Sequence, residues 1–193
     1  MVVTADDTVA GPGAWRSVAD VTDLVNTAGV GDYWVADIAS DLGATDAWAG
    51  WALVIIHETE GPVRDIVMFD GLELLTPTAV ALGLPTTPEP VGANVSIVAW
   101  DGDRSATGED FQLTHAGGSV AITNIVNPID DVANSSISVA GTAVSSGAPS
   151  YINTLGVDVD RFELGTVDGA LEVVAGSNDD DVLLGAVIVV LVH

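Results

Sequence analysis

The chain has 193 residues and no cysteine, which excludes disulfides, zinc–thiolate sites and thiol catalysis. Twenty-eight acidic residues face four arginines and no lysine, and the net charge of −24 repels nucleic-acid phosphates and anionic membrane surfaces. Hydrophobic residues make up 48% of the chain, enough to exclude a disordered polymer and to fill a core.

The opening segment, MVVTADDTVAGPG, has no basic stretch and no long apolar run, so it does not read as a signal peptide. Ser17 to Thr22 alternates in polarity and predicts a strand leading into a short helical turn at Val21 to Asn26. Tyr33 to Ile38 predicts the next strand. Gly50 to His57 is almost wholly apolar and predicts a central strand covered on both faces. Val63 to Phe69 follows the turn-forming Glu60-Gly61-Pro62. Thr76 to Pro90, the nearest thing to a linker, carries Val80, Leu82 and Leu84 and predicts a covered crossover loop.

Asn94 to Trp100, Phe111 to Leu113, Ser136 to Ala140, Arg161 to Leu164 and Leu171 to Val174 predict further strands, with a helical turn at Asn127 to Ala133. Val182 to Val192 is apolar but shorter than the roughly 20 residues a membrane helix needs. It predicts a buried final strand, with no membrane insertion. Gly, Pro, Asn, Asp and Ser cluster between these runs, and no segment sustains helical amphipathicity. The pattern predicts an all-β chain, a single β-sandwich of jelly-roll type over residues 1–193.

The candidate chemistry is acidic. Asp101, Asp103, Glu109 and Asp110 share one glycine-containing loop after a strand, and calcium takes six to eight oxygen ligands from such loops. The EF-hand spacing is not met, so the segment reads either as a calcium loop or as a solvated acidic turn. Asp158 and Asp160 would share one face of a strand, where like charges need solvent or a bridging cation. Asn178-Asp179-Asp180-Asp181 reads as a plain turn, with a calcium site as the alternative. His57, His115 and His193 show no metal-binding spacing, and no nucleophile elbow, P-loop or dinucleotide fingerprint occurs. The chain is therefore not expected to be an enzyme.

The aromatic residues offer a different chemistry, since sugars stack on exposed rings. Trp48, in a loop, is the best-placed platform, with Tyr33 and Trp34 as a second pair on opposite faces of their segment. The competing expectation is ordinary packing at a sandwich edge. Without lysine, the Lys–Asn crosslinks that staple many surface domains cannot form.

An ordered set of segments carries a resemblance. It comprises Ala19-Asp20-Val21-Thr22-Asp23-Leu24-Val25, Gly31-Asp32-Tyr33-Trp34-Val35-Ala36-Asp37 and Ala49-Gly50-Trp51-Ala52-Leu53-Val54-Ile55-Ile56. Arg64-Asp65-Ile66-Val67-Met68-Phe69-Asp70-Gly71 and Val98-Ala99-Trp100-Asp101-Gly102-Asp103 follow in order. Looser matches lie at Asn134-Ser135-Ser136-Ile137 and Asp158-Val159-Asp160-Arg161-Phe162. Together these resemble the N-terminal extracellular domain of large bacterial cell-surface proteins, which precedes tandem β-sandwich repeats. The resemblance implies a secreted or surface-attached protein with an adhesive or structural role, and it carries over no catalytic residue. Glycan or surface-protein binding and self-association through the terminal strand stand as alternatives.

Overall fold

The computed structural model describes residues 2–11, 13–41, 43, 49–145 and 152–193. The chain divides into two compact units, Met1–Trp51 and Ala52–His193.

In the first unit, β1 (Asp7–Gly11) and β2 (Ala14–Val18) form an antiparallel hairpin in which Gly11 faces Ala14. Gly13 supplies the left-handed turn with φ of 71°. Helix α1 (Thr22–Ala28) begins where Asp20 Oδ1 accepts the Thr22 amide at 2.8 Å, and it ends at Gly29, whose amide donates to the Val25 carbonyl. The expected helical turn at Val21 to Asn26 is thus present. The expected strand at Tyr33 to Ile38 is not: these residues have no regular secondary structure.

The second unit is a sheet built from β3 (Arg64–Leu74), β4 (Val80–Trp100), β5 (Glu109–His115), β6 (Gly118–Ala121), β7 (Ile137–Val139), β8 (Thr142–Ala143), β9 (Val157–Ser177) and β10 (Leu183–Val192). The order is β3-β10-β4-β9-β5-β6, with β7 parallel to β9 and β8 antiparallel to β7. Among the described residues the regular structure is therefore strand throughout, apart from α1, and the all-β expectation holds.

Three expectations are corrected. Gly50 to His57 is not a buried central strand: it has no regular structure, and Val54, Ile55 and Ile56 are 38%, 52% and 56% exposed. Its apolar side chains reported burial potential, but β3, the strand that follows it, pairs on one side only, with β10. Most of Thr76 to Pro90 is not a crossover loop but the first half of β4. Asn127 to Ala133 forms turns and no helix.

The strands are also longer than expected. β4 and β9 each run 21 residues and pair along both of their halves. Leu82 stands fifteen residues before Ile97 in β4, about 50 Å away if the strand were straight. Yet Leu82 lines the same cavity, about 250 Å³, as Val187, the partner of Ile97 in β10. β4 therefore doubles back, and the sheet folds over its own apolar face. The bends fall where register shifts between Leu84, Thr87 and Val91, around Pro85, Pro88 and Pro90. Proline lacks the amide that a ladder needs, so it sits where pairing lapses. In β9 the matching positions are Gly165 and Gly169, with φ of 83° and 75°.

The core enclosed by this fold takes Val91, Val95 and Ile97 from β4, Phe111 and Leu113 from β5, and Phe162 and Val173 from β9. Val187, Val189 and Leu191 of β10 complete its centre. β10 is a buried final strand, as expected. Both its edges are hydrogen-bonded, to β3 and to β4, so Val182 to Val192 offers no free edge to a neighbouring chain, contrary to the assembly expectation. Among the described residues no helix is long and apolar enough to cross a membrane.

Candidate functional site

Backbone and side-chain contacts of Asp103, Asp130 and Asp180 mark the place where the β4–β5, β6–β7 and β9–β10 connections meet. The Gly108 amide donates to the Asp130 carbonyl at 2.8 Å, and the Asn178 amide donates to the Gly108 carbonyl at 3.1 Å. The Asp103 amide donates to Asp180 Oδ2 at 3.2 Å. Thr76 Oγ1 donates to the Asp180 carbonyl, which draws in the β3–β4 connection as well.

The β4–β5 connection starts at Asp101, whose φ is 67°, and Gly102. A Cβ on Gly102 would lie 2.1 Å from the Ala133 carbonyl oxygen and 2.7 Å from Asp158 Oδ2, so only glycine lets the two backbones meet. Ser135 Oγ donates to the Gly102 carbonyl at 2.5 Å and fastens the contact.

Beneath these connections, three strand residues turn carboxyl groups into the core. Asp158 is fully buried, and its Oδ1 accepts the Ser136 amide at 2.9 Å. The amides of Ser135 and Asn134 also stabilise it, but burial dominates and pushes its carboxyl up to about 8. Asp160 accepts from Ser138 Oγ at 2.6 Å and is pushed up to about 6, again mainly by burial. Glu109, 3% exposed, accepts the Val132 amide through Oε2 at 2.5 Å. Burial, with Asp180 and Asp131 adding repulsion, pushes Glu109 up to about 8. Asp158 and Glu109 hold backbone amides of the β6–β7 connection and Asp160 holds the Ser138 hydroxyl of β7, a use that explains acidic residues on an apolar face.

The candidate residues do not converge as one set. Asp103 is exposed and meets Asp180 through its amide; Asp101 is half-buried and donates its own amide to the Gly156 carbonyl. Asp110 is exposed, and its carboxylate accepts from Gln112 Nε2 at 2.7 and 2.9 Å. Asp158 lies against Gly102, and Asp160 faces Ser138. Among the described residues no three Asp, Glu or His side chains stand together in a metal-holding arrangement. What the structure does bring together is Glu109, Asp131 and Asp180. On top of burial, Asp180 and Asp131 push the Glu109 carboxyl up, and Asp180 pushes Asp131 up. A side-chain hydrogen bond from Glu109 holds Asp180 down against its burial, and Arg104 is a counter-charge near Asp131.

Sequence reasoning placed Glu109 on an acidic loop and missed that it opens β5 with its carboxyl buried. The signal was present: Glu109, Phe111 and Leu113 alternate, so the glutamate shares the buried face of two core residues.

Of the aromatic candidates, Trp48 lies outside the described residues. Trp34 is 75% exposed, while Tyr33 is half-buried and its hydroxyl donates to the Gly29 carbonyl at 2.5 Å. The imidazoles have local partners instead: His57 meets the Glu58 carbonyl, His115 meets Asp168 and His193 meets Asp65.

No family model matches the chain, and no curated protein or solved structure is significantly similar to it.

Proposed function

We propose that the chain is a non-catalytic, secreted or cell-surface domain of bacterial type with a structural or adhesive role, its second unit a β-sandwich related to the jelly rolls. The observation that carries this reading is the use made of the buried carboxylates. Asp158 and Glu109 hold down the β6–β7 connection and Asp160 holds β7 itself, which is scaffold work. The excess of negative charge supports an exposed, soluble setting and argues against nucleic acid as a partner. Calcium is the cofactor that suits such a set of acidic connections.

A second reading, a carbohydrate-binding module, draws on one observation: the Trp34 ring is 75% exposed. Stacking on such a ring is the usual way a sugar face is held, and a ring in water is available for it.

The test is binding of the full chain, immobilised on beads, to a panel of polysaccharides and cell-surface proteins. Saturable binding without turnover supports an adhesive role, and its loss in Trp34→Ala would assign it to the sugar-stacking reading. Hydrolysis or modification of any panel member would overturn the non-catalytic reading.

A further inference from the structure

We propose that residues 52–57 of one copy of the chain add as a strand to the outer edge of β3 in a second copy, and that two copies exchange this segment reciprocally. Two independent observations carry this. The first is an acceptor. Among the described residues β3 pairs with β10 alone, so the backbone groups on its other side meet no ladder. Ile66 and Met68, two apart and so on one face, are 40% and 42% exposed. An edge of eleven residues with the uncharged centre Ile66-Val67-Met68-Phe69 is a template for another strand.

The second is a donor. Ala52-Leu53-Val54-Ile55-Ile56-His57 has the composition of a strand but no regular structure, and Val54, Ile55 and Ile56 stand in water. Three exposed β-branched side chains in a row forgo burial that a pleated ladder would recover. The segment belongs to the same compact unit as β3, yet it leaves its own β3 edge open. Antiparallel addition offers a matching register. Setting Val54 opposite Met68 and Ile56 opposite Ile66 covers the two exposed residues of β3. The same register puts His57 opposite Asp65 and Glu58 opposite Arg64, which are complementary charges.

The link between the two segments selects a second copy over the chain's own edge. Within one chain only Thr59-Glu60-Gly61-Pro62-Val63 separates Glu58 from Arg64. That link is fastened as a bend: Arg64 Nη1 donates to Thr59 Oγ1 at 2.9 Å and to the Pro62 carbonyl at 3.4 Å. The Val63 carbonyl, next along, accepts the His193 amide at 3.0 Å. A short, proline-bearing hinge held in this way favours exchange with a neighbour over folding back. Reciprocal exchange closes about a two-fold axis and leaves neither donor free. The uncharged centre of the ladder also lets two copies of net charge −24 meet without opposing carboxylates. This pairing is independent of where the chain is located.

The experiment uses the full chain, in light scattering over a protein dilution series at low and high sodium chloride. The expected result is a mass that doubles with concentration, and does so at lower concentration in about 1 M salt, where self-repulsion is screened. Ile55→Pro removes a ladder amide from a segment with no regular structure. It should abolish the doubling and leave the melting temperature of dilute protein unchanged. Ile66→Lys, a charge at an exposed position of the edge, should abolish the doubling too.

Because the chain has no cysteine, an introduced disulfide reports which copy is paired. Val54→Cys combined with Met68→Cys in one chain should give, with oxidised glutathione, a covalent dimer that a reducing agent returns to monomer. Val30→Cys with Met68→Cys, also exposed but outside the ladder, should stay uncrosslinked. An internal disulfide in a monomer would overturn the proposal, because the segment would then occupy its own edge. A mass that stays single at every concentration and salt, or a doubling that survives Ile55→Pro, would overturn it as well.

Discussion

Glu109, Asp158 and Asp160 have carboxyl groups raised to about 8, about 8 and about 6, above the ordinary value of about 4. In the interval between the ordinary and the raised value, the folded chain holds protons that the unfolded chain has released. Stability is therefore fully present at low pH and is lost as pH climbs through about 6 and then about 8. The melting temperature in EDTA should fall steadily from pH 5 to pH 9, and Asp158→Asn should flatten the upper part of that fall. A flat parent profile would show that the buried carboxylates ionise without cost. Gly102 gives a second prediction at this scale. Gly102→Ala drives a methyl group into the Ala133 carbonyl and should cost about 3 kcal/mol, read from denaturant unfolding.

Among the elements, β10 shows how one residue shapes a strand. Its register shifts between Leu184 and Ala186, which leaves Gly185 in a bulge against both neighbours. The Trp100 ring lies over that glycine: a Cβ there would sit 1.7 Å from the ring. Gly185→Ala should destabilise by about 2 kcal/mol and perturb tryptophan fluorescence, and Trp100→Leu should restore part of the loss in a double-mutant cycle. Loss of equal size in both backgrounds would break the link between bulge and ring.

Such details mark the limit of what sequence reveals. The apolar run at Val182 to Val192 and the alternation at Phe111 to Leu113 announced β10 and β5, because each strand buries a continuous or a period-two set of side chains. The unity of β4 was hidden, because Pro85, Pro88 and Pro90 read as breakers and the fold uses them as a bend. Arg161 to Leu164 and Leu171 to Val174 likewise read as two strands, since Gly165 and Gly169 interrupt the pattern of one. Gly50 to His57 misled in the other direction, because periodicity records what a side chain prefers and not where a ladder forms. Of the site, the shared face of Asp158 and Asp160 was legible from their spacing. The meeting of Glu109 with Asp131 and Asp180 was not, because it depends on how three distant connections fold together.

Over the whole molecule the dominant force besides burial is self-repulsion. A net charge of −24 on 193 residues with four arginines gives each carboxylate many like neighbours and few partners. Raising sodium chloride from about 10 mM to about 1 M shortens the screening length from roughly 30 Å to roughly 3 Å. The melting temperature should rise across that range, and a rise that saturates near 0.1 M would indicate that repulsion between distant surface charges dominates over short-range pairs.

The position of β10 has a further consequence, for how the domain comes into being. It is the last strand along the chain, and it lies between β3 and β4. Until a ribosome has passed residue 192, those two strands have no ladder between them, and Val95 and Ile97 have no apolar neighbour on that side. The sheet cannot close progressively from its beginning; it closes in one late event, across contacts far apart in sequence, a topology that folds slowly. A chain of this design holds its sheet open until residue 192 has been made.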